Sequence, residues 1–208
     1  MYKDFGKRLI DLILSALGIL VLSPVLLILV IAIKLDSPGP VLFKQKRVGL
    51  HKSHFHILKF RTMRIDTPKD CPTHLLENPE QWITKVGGFL RKTSLDELPQ
   101  IFNIFAGQMS IIGPRPALWN QYDLIEERDK YGANDVLPGL TGWAQINGRD
   151  ELEIPVKAKL DGEYVERMSF GFDVKCFVGT IVSVLKHEGV VEGGTGTIEK
   201  EKEEVVQK

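Results

Sequence analysis

The chain has 208 residues, with 27 Lys+Arg balanced by 27 Asp+Glu, which leaves room for one domain of ordinary size or a domain plus an anchor. A net charge of zero gives no global field for holding nucleic acid, so nucleic acid is not expected as a partner and any anion must be recognised locally. Cys71 and Cys176 match no metal or redox spacing and read as unremarkable thiols in a reducing compartment.

From Leu12 to Ile33 the chain is apolar except for Ser15 and Ser23 and carries no charge, about 22 residues or roughly 33 Å of helix, just enough to span a bilayer. A signal peptide would have a shorter apolar region and a small-residue cleavage site, so the segment is expected to be retained. Pro24 stands in its middle, where proline costs a helix about 3 kcal/mol. Lys3, Lys7 and Arg8 precede the segment, and Lys34, Lys44, Lys46 and Arg47 follow it. Basic flanks tend to stay in the cytoplasm, and a straight span would carry one of them across. Three readings stay open: a re-entrant hairpin broken at Ser23-Pro24, a kinked helix that spans once, and a buried helix of a soluble domain. The first keeps both flanks on one side. It asks the Ser23 hydroxyl to bond a carbonyl of the preceding turn, where Pro24 frees that of Leu20.

"DSPGP" at 36–40 is a turn cluster. Strand-like runs follow at 41–49 and 55–63, the second placing Phe55, Ile57, Lys59 and Arg61 on one face. Residues 66–81 read as a surface loop. The stretch 82–107 reads as mainly helical, with Leu98, Ile101, Phe102 and Phe105 on one apolar face and Gly107 as the stop. Residues 110–119 read as extended, 124–132 as a polar helix ending at Gly132, and 136–152 as mostly loop. Amphipathic helices are expected over 154–168 and 172–189; the second suits a membrane surface, although packing in a core is the commoner outcome. The fold class is α+β, mainly helical with short strands.

Three motifs carry chemistry. In "RKTSLDELPQ" (91–100), Asp96 and Glu97 follow Arg91 and Lys92 at the start of a helix. Ser94 to Glu97 also forms an S-x-x-E capping box, a purely structural alternative. Pro99 argues against it, because proline suits the first helical position and not the fifth, and a helix beginning near Pro99 leaves both carboxylates on an irregular turn. In "GPRP" (113–116) two prolines hold Arg115 on an extended backbone, suited to bidentate contact with phosphate or carboxylate, though a solvated turn fits equally. In "PGLTGWAQINGRD" (138–150), Gly139, Gly142 and Gly148 permit close backbone approach, Trp143 offers a stacking face, and Gln145, Asn147 and Arg149 offer polar contacts, a composition that fits a nucleotide or sugar site. His51, His54 and His56 form no zinc spacing.

With "SP" in the basic-apolar N-terminus, "KFRTM", "SLDELPQ", "SIIGPRP" and "PGLTGWAQINGR" in this order, the sequence resembles the bacterial sugar transferases, the monotopic polyprenyl-phosphate phosphoglycosyl transferases, over nearly the whole chain up to its tail. The resemblance implies a re-entrant anchor (1–35), a cytoplasmic catalytic domain with interfacial helices (36–189) and a charged tail (190–208) that reads as disordered. It implies residence at the inner membrane with the catalytic domain on the cytoplasmic face. It implies transfer of a sugar-1-phosphate from a UDP-sugar to undecaprenyl phosphate with release of UMP. Asp96 would be the nucleophile, a choice that its spacing from Glu97 does not make, and Glu97 would help hold Mg²⁺. Arg91, Arg115 and Arg149 would clamp phosphate, with Lys59 and Arg61 as weaker candidates, while Gly142, Trp143, Gln145 and Asn147 would face the nucleotide or sugar. Membrane lipid is an expected partner, and a homodimer is admitted. Two other functions use the same residues or none: a membrane-bound Mg²⁺-dependent hydrolase of nucleotide sugars or lipid diphosphates, and a non-catalytic scaffold for glycan assembly.

Overall fold

The computed structural model describes residues 2–67, 79–148 and 152–186. Cys71, Arg149, most of the expected 66–81 loop and the tail 190–208 lie outside the described residues.

After a π-helical turn at Tyr2–Gly6, α1 runs from Lys7 to Asp36 as one helix with Pro24 inside it. Ser23 Oγ donates to the Leu20 carbonyl at 2.8 Å. That is the carbonyl whose helical partner Pro24 has removed, so the hydroxyl replaces the missing N–H. Lys7, Asp11, Ser15, Leu26, Leu29 and Ile33 are buried, while Leu20, Val21, Leu27, Ile28 and Leu35 are exposed. Among the described residues α1 is the one helix long and apolar enough to cross a membrane.

The chain divides into two compact units: one made of the residues up to Leu9, Arg47–Phe55 and the chain from Gln108 onward, the other of Ile10–Lys46 and His56–Gly107. Strands β1 (Leu42–Val48) and β2 (His54–Phe60) pair as a two-stranded sheet.

In the unit containing most of α1, Leu26, Leu29 and Ile33 pack with Phe60 and Leu90, with Leu95 and Leu98 at the edge of the cluster. Helix α2 (Lys85–Lys92) is capped by Thr84, whose hydroxyl accepts from the Gly87 N–H at 2.9 Å. The expected helix over 82–107 is instead three pieces: α2, a 3₁₀ turn at Leu95–Glu97, and α3 (Gln100–Phe105) with Pro99 at its N-cap. Pro99 sets the second break, as its missing N–H requires. Gly107, at φ 82°, ends α3. The apolar face expected over Leu98, Ile101, Phe102 and Phe105 is split, with Leu98 packed at the core edge and Ile101 half-buried. Gln100, Asn103 and Ile104 are buried, whereas Phe102 and Phe105 are exposed.

In the other unit β3 (Ser110–Ile112) pairs in parallel with β4 (Gly139–Thr141), Ser110 facing Gly139 and Ile112 facing Thr141. Helix α4 (Tyr122–Asp129) is followed by Gly132 at φ 65°. The region expected as loop over 136–152 holds β4 and the one-turn helix α5 (Trp143–Ile146). Helices α6 (Ile154–Arg167) and α7 (Phe170–Lys186) complete it. Tyr164, Met168, Phe172 and Cys176 form a core with Ile112. Burial pushes the Cys176 thiol up to about 11, which makes it an inert thiol. Arg128 donates to Asp161 through Nε at 2.8 Å and Nη2 at 2.6 Å, and both side chains are almost fully buried. Asp173 accepts from Lys7 (2.6 Å), Tyr2 (2.6 Å) and Tyr164 (2.8 Å), tying the N-terminus to α7. The outer face of α7, with Phe170, Val174, Phe177, Val178, Ile181 and Val182, stays exposed rather than entering a core.

Candidate active site

Asp96 and Glu97 lie on the 3₁₀ turn between α2 and α3. Ser94, which precedes that turn, is left-handed at φ 56°, and its side chain makes no capping bond. The Ser94 half of the capping box is therefore not formed. Burial holds the Asp96 carboxyl above the ordinary carboxylate range; the positive charge of Lys59 works against this, the Glu97 carboxylate adds to it, and Arg91 lowers it again. Lys59 Nζ donates to Glu97 Oε1 at 2.7 Å, both side chains being about four-fifths buried. Arg91 Nε donates to Thr62 Oγ1 at 3.0 Å, and an alanine at Gly87 would put Cβ 2.0 Å from the Thr62 carbonyl oxygen. The close approach at Gly87 thus lets α2 press Arg91 onto the strand exit.

One unit therefore assembles Asp96, Glu97, Lys59 and Arg91. Arg61 is placed differently. The alternation expected to align it with Lys59 breaks after Ile57, because Phe60 turns into the core. Arg61 is buried and donates to the Ser37 and Pro38 carbonyls at 2.8 and 2.7 Å, closing the turn that follows α1.

The glycine-rich motifs occupy the other unit. The half-buried Arg115 stands between two pinned carbonyls: Pro114 accepts from the Gly139 N–H at 2.8 Å, and Pro116 accepts from Arg47 Nη1 at 2.9 Å. A Cβ on Gly142 would lie 2.1 Å from the Gly113 carbonyl oxygen, and one on Gly139 would lie 2.1 Å from the Gly113 nitrogen. These glycines join the two loops backbone to backbone. Trp143 donates to Glu163 at 3.0 Å and packs on Phe172 with ring centroids 5.0 Å apart, with the Lys175 ammonium 4.8 Å from its own ring centroid. Gln145 Nε2 donates to the Leu140 carbonyl at 3.0 Å while its buried Oε1 has no partner among the described residues, and Asn147 donates to the Trp143 carbonyl at 2.7 Å.

Thr62 and Asn103 were not among the residues expected to matter. Thr62 sits inside "KFRTM", beside residues that were. Asn103 had a signal too, as the one polar residue in the run "IFNIF".

For Mg²⁺ the donor set is spare: no group of three or more His, Cys, Asp or Glu is found among the described residues. Two adjacent carboxylates still fit, since Mg²⁺ typically takes one or two protein carboxylates and completes its octahedron with water and substrate phosphate.

A half-buried carboxylate pair countered by a lysine and an arginine suits chemistry on an anionic group, and the long apolar helix marks the class as membrane-associated. The chain belongs to the bacterial sugar transferase family, whose model matches residues 2–187. It is 43% identical to the UDP-glucose:undecaprenyl-phosphate glucose-1-phosphate transferase of Escherichia coli over 84% of its own length and 39% of the relative's. It is 39% identical to the uncharacterized sugar transferase EpsL of Bacillus subtilis over 93% of this chain and 94% of that one. With the exopolysaccharide production protein PSS of Rhizobium leguminosarum it shares 38% identity over 86% of this chain and 94% of the relative. The chain thus spans about two fifths of the E. coli relative and nearly all of the other two.

Proposed function

We propose that the protein transfers a sugar-1-phosphate from a UDP-sugar to undecaprenyl phosphate in two steps. A carboxylate oxygen of Asp96 attacks the sugar-bearing phosphorus, the bond to the bridging oxygen breaks, and UMP leaves. An oxygen of undecaprenyl phosphate then attacks the same phosphorus, the acyl phosphate bond breaks, and the Asp96 carboxylate is regenerated beside a polyprenyl diphosphate sugar. A carboxylate nucleophile divides one difficult transfer into two easier ones. The observation that carries this reading is the placement of Asp96: half-buried, on a 3₁₀ turn, and opposed by Lys59 and Arg91. The names of the relatives make UDP-glucose the first sugar donor to test.

Like-charge repulsion between carboxylate and diphosphate is worth about 4 kcal/mol per charge pair at 4 Å with an effective dielectric of about 20. Arg91 supplies one counter-charge, and Lys59 neutralises Glu97 when no other cation is there. Mg²⁺, when bound through Glu97, would screen the phosphates and polarise them. Arg115 and Arg149 are assigned to phosphate contact by family analogy and by the bidentate geometry of guanidinium.

The helix α1 is assigned a re-entrant path in the cytoplasmic leaflet. Support comes from each end separately: Lys7 is bonded to Asp173 and Lys3 to the Val165 carbonyl, while Ile33 and Leu29 are buried with Phe60 and Leu90. Neither end is left to cross alone. The exposed Phe102, Phe105 and outer face of α7 are assigned to the interface. Labelling Lys3→Cys and Lys44→Cys in intact and opened cells tests the path: protection of both until opening is expected, and exposure on opposite sides would refute it.

The transfer is tested by isotope exchange. Labelled UMP is expected to enter UDP-sugar without any lipid, because the first step reverses from the covalent enzyme. A hydrolase without a covalent intermediate would show no exchange.

A further inference from the structure

Asn103 occupies the inward face of α3, 2% exposed, in a stretch otherwise made of Ile and Phe. Both ends of its side-chain amide bond one strand. Oδ1 accepts the Leu58 N–H at 2.9 Å and Nδ2 donates to the His56 carbonyl at 2.8 Å. Residues two apart in a strand present their backbone groups to the same edge, so the amide docks on β2 as a neighbouring strand would. Leu58 is the residue before Lys59, and Asn103 lies one and a half turns beyond Glu97 across the stiff Pro99. The two bonds therefore fix the backbone that carries the lysine relative to the backbone that carries the carboxylate.

A lysine reaches its partner on four flexible carbons and loses rotamer entropy when held. A 2.7 Å contact between Lys59 and Glu97 is favoured only if the two backbones do not drift. An apolar residue at 103 would pack this face equally well, yet it would strand a part-buried N–H and C=O of β2.

We propose that Asn103 is a positioning residue for the transfer: its amide locks β2 to α3 and so sets the Lys59–Glu97 pair beside Asp96. This rests on the transferase reading above. The class of group is the one familiar from metal and catalytic sites, where partners behind the reacting residues hold them in register and their loss typically costs 10- to 100-fold.

The test is a double-mutant cycle in the full chain in lipid nanodiscs. Asn103→Ala, Lys59→Met and the pair are assayed with undecaprenyl phosphate and UDP-glucose, or whichever of UDP-galactose and UDP-N-acetylgalactosamine the wild type turns over faster. Thermal unfolding is followed in parallel, and Asp96→Asn serves as the control. Asn103→Ala is expected to lower kcat about tenfold with KM for the UDP-sugar changed by less than about twofold, and to have no further effect on kcat once Lys59 is Met. Asn103→Ser, which keeps one of the two bonds, is expected to fall between and replaces the alanine variant if that one does not fold. Losses that simply multiply in the double variant, or a lowered Tm with unchanged kcat, would overturn the proposal. Turnover surviving in Asp96→Asn would instead sink the transferase reading beneath it.

Discussion

The turn that carries Asp96 and the loops that carry Arg115 and Trp143 are built by opposite means. At the turn, side chains do the positioning: Thr62 holds Arg91, Lys59 holds Glu97, and the exposed Ser94 tolerates a left-handed backbone. In the loops the backbone does it, with Gly113, Gly139 and Gly142 meeting at distances that admit no Cβ and with the Pro114 and Pro116 carbonyls both bonded. A site assembled from charges stores its instability locally, as the raised Asp96 shows. A site assembled from glycine contacts fails by losing its fold. Substitutions in the first region should therefore cost rate, and substitutions in the second should cost stability.

The largest expected effect is on the first side. Asp96→Asn should lower turnover on the order of 10⁴-fold or more, as loss of a covalent nucleophile does. It should also raise Tm: a carboxyl whose folded value lies above its unfolded one binds its proton more tightly when folded, so its ionisation at neutral pH opposes folding. Scanning calorimetry beside a UMP-release assay reads both, and a lowered Tm would break the contrast. In the other region, Asp161→Asn leaves the Arg128 guanidinium buried without its counter-charge and should cost about 3–5 kcal/mol of stability. Gly142→Ala must displace the Gly113 carbonyl and should cost about 1–3 kcal/mol by overpacking. Denaturant unfolding checks both, with kcat per folded molecule expected to stay within a few-fold for Asp161→Asn. Thr62→Val removes the hydroxyl that accepts from Arg91 Nε and should cost roughly tenfold or less in kcat/KM at unchanged Tm.

The smallest effect is a displacement of the pH profile. Asp96 attacks as the carboxylate, and burial raises its proton affinity, so kcat/KM should fall with decreasing pH at a point above the ordinary carboxylate value of about 3.9. Lys59→Met removes a positive charge that favours ionisation, which should move that limb to higher pH. A shift to lower pH would mean that Lys59 is not a neighbour of the reacting group.

Local covalent constraints were legible in the sequence. Pro24 names the carbonyl that Ser23 rescues, Pro99 dictates where α3 begins, and Gly107 and Gly132 mark helix ends. What periodicity could not supply was which side of a short helix packs inward. The stripe Leu98, Ile101, Phe102, Phe105 reads as a core face by the rule that apolar residues turn inward; Leu98 does pack on the core, yet Phe102 and Phe105 are exposed and Asn103 is buried. Strand alternation pairs Lys59 with Arg61, but the strand ends at Phe60 and their partners lie 23 to 38 residues away in sequence, on segments whose approach no local pattern encodes. Gly142 also meets the Gly113 backbone and Gln145 also bonds the Leu140 carbonyl, contacts that the sequence does not announce, because a glycine that admits a backbone and one that admits a phosphate look alike in sequence.

Intact-protein and peptide mass spectrometry after incubation with UDP-sugar and Mg²⁺, with no lipid acceptor, tests the covalent step directly. The account predicts a mass increase of one sugar-phosphate, carried by the peptide containing Asp96, lost on adding undecaprenyl phosphate and missing from Asp96→Asn. An unmodified chain that nonetheless releases UMP, or an adduct on Glu97, would contradict it.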